Sequence, residues 1–378
     1  MRILFVCENY LPHYGGAEVV FKNLAEGFVR AGHTVDLVTH QMKGTASFEV
    51  INGVRVHRVW SAGSRYVFSF SSIFKVWQLA RRSDIIQTTT FNGAPPAWLA
   101  ARICGKKIVL TVHEVWIGKW RTVTGLGTLS CFVHDMLERM IYALSYDKYV
   151  CVSEATRHDV LALGVASSKV ERVHNGFDYA MWKPGLFSGA IVRKKLGLKG
   201  TFVYFSWGRP GPSKGFEYAL RAVPEITSRI PHSTFMLMLG SKEKYPQEYA
   251  MILKLIAQLH IEKNVVLVPS VAYSELGNYI AAADCVVVPS LSEGFGYTCV
   301  EAGVMGKPVV ASNVASIPEV VSGKHVLVQV RDSSAIARGV VMVSQKKYAV
   351  SKPKKFLWKD AIQDYLGIYG RLIGKKGI

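Results

Sequence analysis

Short apolar, β-branched runs alternate with helical stretches along this chain, and after a break the alternation begins again. RILFVC, TVDLVTH, DIIQTT, KKIVLTVH and KYVCVS come first; TFVYFSW, STFMLMLG, NVVLVPS, DCVVVPS, KPVVAS and HVLVQV follow. Strands this apolar need cover on both faces, which helical crossovers on a parallel sheet provide. The expected fold class is α/β, with two doubly wound domains facing a cleft. The stretch between Ala17 and Ala31 puts Val20, Phe21, Leu24, Ala25 and Phe28 on one helical face and ends at Gly32. VRVHRV (54–59) alternates instead, as a half-exposed strand should. At 378 residues the chain is long for one core. The pattern weakens over 182–200, which reads as a linker or early loop, so the expected domains are 1–184 and 185–355. In 356–378, Trp358, Ile362, Tyr365, Leu366 and Tyr369 share one face. This segment is expected to be an amphipathic helix packing back on the first domain, followed by a basic tail.

Charge narrows the partners. The chain has 46 basic and 27 acidic side chains, a net +19, and residues 346–378 hold nine basic and two acidic ones. That balance favours phosphate-rich partners such as a nucleotide, an anionic membrane or a nucleic acid. No run of about 18 apolar residues is present, so no membrane-spanning helix is expected. MRILFVCENY reads as a first strand rather than a signal peptide. The six cysteines form no C-x-x-C pair and are expected to be buried, reduced thiols of a cytoplasmic protein.

Ligands of open α/β sheets bind beyond the carboxyl ends of the strands, so the chemistry belongs in strand-to-helix loops. Gly15 and Gly16 follow the first strand and precede a helix, where bare backbone can approach an anion. This loop has no G-x-G-x-x-G, which disfavours a nicotinamide or flavin site. His113 closes the strand run LTVH. Arg209 and Lys214 lie in GRPGPSKG, a loop whose two cations suit a phosphate. SLSEGFGYTCVEAGVMGKP carries Glu293 and Glu301 eight residues apart. Gly294 and Gly296 break any continuous helix through it, so a helix is expected from near Tyr297 to Gly306. Glu293 then lies in the loop and Glu301 about one turn inside the helix. The amides at Phe295 and Gly296 would meet phosphates, and Glu301 would accept bonds from a diol such as ribose. No D-x-D, H-E-x-x-H or C-x-x-C points to a metal, and no G-x-S-x-G to a serine hydrolase.

The ordered set of glycine pair, strand-closing histidine, GRPGPSKG and the E-x7-E stretch resembles retaining glycosyltransferases of family 4, which have the glycosyltransferase-B fold of two Rossmann-like domains. VHNGFD (173–178) and ASIPEVV (315–321) resemble further motifs of that family, with His174 where proline is usual. The resemblance implies a nucleoside-diphosphate sugar as donor, no cofactor and no metal. It assigns Arg209 and Lys214 to the donor diphosphate and Glu301 to the ribose. Glu293 is assigned to the sugar–phosphate end, and Gly294, Phe295 and Gly296, with Tyr297 beside them, to the donor loop. Gly15 and Gly16 are assigned to a loop approaching the diphosphate, and His113 to the neighbourhood of the anomeric carbon.

Two basic aromatic stretches, 65–82 and 115–127, suit a membrane interface, so a glycan or lipid-linked acceptor and peripheral binding to an anionic cytoplasmic leaflet are expected. The aromatics of 65–82 would serve equally well in the domain core. Two rivals stand beside glycosyl transfer: a nucleotide-sugar epimerase on the same fold, and a non-enzymatic basic nucleic-acid module. No recognised nucleic-acid motif supports the second, and no nucleic-acid partner is expected.

Overall fold

In the computed structural model, which describes residues 1–13, 15–240 and 242–374, the chain forms two compact units. The last four residues of the basic tail lie outside the described residues. The first unit comprises 1–118, 128–177 and 356 onward; the second comprises 119–127 and 178–355. The chain thus passes from one to the other at Phe177–Asp178, a few residues before the expected start of the second domain at 185.

The first unit's elements, in chain order, are β1 (Arg2–Val6), α1 (Gly16–Arg30), β2 (Thr34–His40), β3 (Phe48–Ile51), β4 (Val54–Val59), α2 (Arg65–Ser71), α3 (Ile73–Ala80), β5 (Ile85–Thr89), α4 (Ala94–Cys104) and β6 (Lys107–Val112). After a short helix α5 (Trp120–Thr124), which belongs to the second unit, come α6 (Thr128–Ala143), β7 (Lys148–Cys151), α7 (Glu154–Ala162) and β8 (Val170–Arg172). The strands form one sheet in the order β3-β4-β2-β1-β5-β6-β7-β8, parallel except for the β3–β4 edge pair. β1 and β5 are buried nearly throughout, as the apolar runs require. β4 alternates buried and half-buried residues, as its sequence does.

The second unit runs α8 (Gly189–Lys195), β9 (Phe202–Gly208), α9 (Phe216–Arg229), β10 (Ser233–Leu239), α10 (Pro246–Gln258), β11 (Val265–Pro269), α11 (Leu276–Ala282), β12 (Cys285–Val288), α12 (Tyr297–Val304), β13 (Val309–Ser312), α13 (Ile317–Val320), β14 (Gly323–Val328), α14 (Ser333–Ser344) and β15 (Ala349–Ser351). Its sheet order is β11-β10-β9-β12-β13-β14-β15, with only β15 antiparallel among the described strands. The expected loop over 182–200 is corrected in part: residues 189–195 form α8. Gly189 lets α8 sit against α11, since a Cβ there would lie 2.5 Å from the backbone of Ala281. The signal was weak because one apolar side chain, Val192, anchors the helix.

The final helix, α15 (Trp358–Ile373), completes the first unit's core as its apolar face predicted. Tyr365 shares a 2.8 Å hydrogen bond with Thr111, and Tyr369 donates to Gln87 Oε1 at 2.8 Å. Gly27 of α1 permits a close crossing, because a Cβ there would meet Ile362 Cδ1 at 2.2 Å. Phe177 N donates to Phe356 O at 2.8 Å, so the strand of chain leaving this unit runs beside the one that re-enters it.

Candidate active site

In the second sheet the chain order reverses between the parallel neighbours β9 and β12. Such a reversal parts the loops at the strands' carboxyl ends and opens a crevice there. The loop after β9 holds Arg209 and Lys214; the loop after β12 holds Glu293. The two are tied together by main chain: Leu291 N donates to Ser213 O at 2.7 Å. Gly215 is required at this join. Its φ is +63°, and a Cβ would lie 2.0 Å from the Pro289 carbonyl oxygen.

This join brings Lys214 Nζ to 2.6 Å from Glu293 Oε1, which also accepts from Ser290 Oγ at 2.8 Å. The Glu293 carbonyl accepts from Ser316 Oγ at 2.9 Å, which fixes the loop from the other side. An ammonium carries three donors, so Lys214 keeps two for a ligand while Glu293 aims it. Glu293, expected at the sugar–phosphate end, is thus engaged first with the cation. Arg209 is exposed and makes no hydrogen bond or ion pair among the described residues. The loop therefore carries one balanced and one unbalanced positive charge.

Next in the chain, Gly294 is half-buried and Phe295 packs edge-on against Tyr297, ring centroids 5.0 Å apart. Gly296, at φ +91°, starts α12 at Tyr297, where the sequence placed it. No acidic residue lies in the first turn, so the partial positive charge of the helix end is not offset from within. Burial pushes the Tyr297 phenol well above its ordinary pKa. In the second turn Glu301 is buried at 4% exposure. Its Oε1 accepts from Tyr273 Oη at 2.7 Å and its Oε2 from Trp207 Nε1 at 3.2 Å. Burial raises its carboxyl to about 6, against the pull of those two donors and Lys214. Each carboxylate oxygen retains acceptor capacity beyond these bonds, so a diol can be bound without displacing them. Sequence reasoning missed Tyr273, Ser290 and Ser316 as partners. Trp207 was visible as the residue before GRPGPSKG, but nothing in VAYSELG marks Tyr273.

The first sheet reverses between β1 and β5. Glu8, just past β1, accepts from Asn92 Nδ2 at 2.5 Å and Asn9 Nδ2 at 3.3 Å. Glu8 opens the loop that carries Gly15 and Gly16 but was not itself marked by the sequence, and Asn92 belongs to no motif read from it. Gly15 caps α1 without a side-chain bond, and Glu18 occupies the first turn. The Glu18 carboxylate would lie 2.3 Å from a Cβ on Gly15, and His13 Nδ1 holds it at 3.3 Å. A Cβ on Gly16 would meet nothing within 4 Å. His113 follows β6, with its ring edge-on to Phe21 at 5.8 Å. The residue is partly accessible, but Nε2 is sealed from water and has no hydrogen-bond partner among the described residues. Burial lowers the imidazole pKa to about 4, so it is neutral at pH 7. All six cysteines are free, and four of them are buried.

Two parallel-stranded α/β units, each with its functional loops at a strand-order reversal, define the architecture of the glycosyltransferase-B fold. HepE of Anabaena, solved in complex with UDP and glucose, shares it: 99% of this chain and 95% of that one superpose with a TM-score of 0.72 at 20% identity. The family model for Glycosyltransferase Family 4 matches residues 14–180, and that for Glycosyl transferases group 1 matches 190–356. The chain belongs to glycosyltransferase family 4 and is a glycosyltransferase. It is 27% identical to an uncharacterized glycosyltransferase of Methanocaldococcus jannaschii over 98% of both chains. It is also 23% identical to the GPI3 subunit of phosphatidylinositol N-acetylglucosaminyltransferase of Saccharomyces cerevisiae, over 97% of this chain and 82% of that one.

Proposed function

We infer that the protein moves a hexose-type sugar, with retention at the anomeric carbon and without a metal, from a nucleoside-diphosphate sugar to a lipid-linked or glycan acceptor at an anionic membrane surface. The observation that carries this reading is the cation pair at the β9–β12 reversal: Lys214 aimed by Glu293 and Ser290, Arg209 unbalanced beside it, and the N-terminus of α12 in the following loop. As the glycosidic bond breaks, the diphosphate gains negative charge. Donors already fixed in place stabilise that charge without reorganising, which is the larger part of such catalysis. Two cations and a helix end take the role a divalent ion has in other diphosphate sites. Glu301 holds the ribose, with Tyr273 and Trp207 fixing the orientation of its carboxylate. His113, neutral at pH 7, orients the transferred sugar rather than repelling its developing positive charge. The UDP and glucose bound by HepE support a nucleotide-sugar donor. The name of the yeast relative, a phosphatidylinositol N-acetylglucosaminyltransferase subunit, supports a lipid acceptor.

Alanine at Lys214 or Arg209 is expected to lower turnover by roughly tenfold or more. Thermal shift with a panel of nucleoside diphosphates and their sugars identifies the donor, because a ligand of the native state raises the melting temperature. Near-wild-type turnover in both alanine variants would sink the assignment.

A further inference from the structure

Helix α6 turns most of its apolar side chains outward. Leu129, Phe132, Val133, Met136, Leu137 and Met140 all face solvent, with Leu129 77%, Phe132 63% and Met140 62% exposed. At 100° per residue these six fall within an arc of about 140°. The inward face is mixed: Ile141 and Tyr142, near the helix's C-terminal end, are buried in the core, beside polar groups. Glu138 is fully buried and accepts from Trp116 N at 2.9 Å. Asp135 receives the amide of Gly118 and a 2.7 Å bond from Arg139. A surface helix of a globular protein normally turns its apolar stripe to the core. Here Ile141 and Tyr142 join the core and hydrogen bonds hold Glu138 and Asp135, while the larger apolar stripe is left to meet something else.

The neighbouring helices extend the patch and give it a charge. Tyr66 Oη lies 3.1 Å from His134 Nε2, which joins α2 to α6. Along α2 and α3, Phe70 and Phe74 are 75% and 69% exposed. The segment 65–83 carries Arg65, Lys75, Arg81 and Arg82 and no acidic residue. Arg65 and Arg81 lie over the rings of Tyr66 and Trp77, at 5.3 and 5.2 Å. By contrast, the 115–127 stretch, also expected at a membrane, buries Val115, Trp120 and Val123 and offers little of itself.

We propose that the outward face of α6, with the exposed aromatics and basic side chains of α2 and α3, is the surface by which the protein lies on an anionic lipid bilayer. Exposed apolar side chains, with the arginines and lysine of 65–82 on the adjoining helices, match acyl chains beneath negative headgroups. No helix among the described residues is long and apolar enough to cross a membrane, so α6 rests in the interface. The proposal rests on the transferase reading only in that a lipid-linked acceptor supplies the reason to dock there.

The test is co-sedimentation of the full chain with vesicles of phosphatidylglycerol and phosphatidylcholine, and with phosphatidylcholine alone. Wild type is expected to bind the mixed vesicles and to release them as salt rises. Joint replacement Phe132→Ser, Met136→Ser and Met140→Ser, all at exposed positions, should weaken binding about tenfold or more. Arg65→Gln with Arg81→Gln should weaken binding to the mixed vesicles only. A nucleoside-diphosphate thermal shift equal in all variants shows that they fold. That same shift in wild type, without vesicle binding, overturns the docking proposal and leaves the transferase reading standing. No shift with any nucleoside diphosphate, together with vesicle binding, does the reverse. A wild-type dimer that becomes monomeric in the triple variant, again without vesicle binding, assigns the face to a second copy of the chain and overturns the proposal.

Discussion

The two units place a glycine loop before a helix in similar topological positions, and the glycines are there for opposite reasons. In the second unit Gly215 is demanded by the protein itself, because a methyl group would collide with the Pro289 carbonyl and the backbone is left-handed. Gly296 is likewise left-handed, with Val320 3.2 Å from any added Cβ. In the first unit Gly16 faces open space, and Gly15 would touch only the mobile end of Glu18. The charges differ in the same sense. The end of α1 meets its own carboxylate, Glu18, whereas α12 has none in its first turn and follows the loop in which Glu293 holds Lys214. The second unit has built its glycine loops into its own packing. In the first, any need for glycine must come from what approaches it.

That contrast can be broken most directly at Gly215. Gly215→Ala is expected to cost roughly 3–5 kcal/mol, combining overpacking with a strained backbone. Urea unfolding measures it, and a loss under 1 kcal/mol would show that the join is softer than its geometry. Acid should separate the units next. His113 is held near 4 against an ordinary 6.5, so between those values the unfolded chain binds its proton more readily. Its stabilising share is whole above pH 6.5 and is lost as pH falls toward 4, up to about 3 kcal/mol. Glu301 runs the other way: near 6 against an ordinary 4.5, its burial penalty is relieved as pH falls from 6 to 4.5. Hydrogen exchange resolved by peptide should therefore show the first unit loosening over a range in which the second gains, and His113→Asn should remove the first trend. Parallel responses in both units would contradict these assignments. At Glu301 itself, Glu301→Gln should weaken binding of the donor nucleotide about tenfold, a loss read by calorimetry. The smallest effect belongs to Gly16→Ala, which should change stability by under about 0.5 kcal/mol. If it nonetheless weakens donor binding, the glycine serves the ligand.

Much of this was legible in the sequence because it depends on local pattern. The start of α12 at Tyr297 followed from two glycines, and the packing face of α15 from the spacing of Trp358, Ile362, Tyr365, Leu366 and Tyr369. The pairing of Lys214 with Glu293 was not legible, since it depends on which strands lie side by side, and β9 and β12 are far apart in the chain. Tyr273 was hidden for the same reason: it reaches Glu301 from a loop with no motif of its own. Helix α6 escaped notice differently. Its apolar stripe reads like any core-facing helix, and only the burial of Glu138, Ile141 and Tyr142 shows which side is in.

The closing of the first unit's core by α15 has a consequence for synthesis. A chain emerging from the ribosome folds its earlier parts first where it can. Here residues 178–355 are all available before Tyr365 and Tyr369 exist to meet Thr111 and Gln87. The first unit, whose strands are made earliest, must wait with part of one face of its sheet uncovered, beside α1, until residue 373 has been added. It is the half of the protein with most need of a chaperone while the chain is being made.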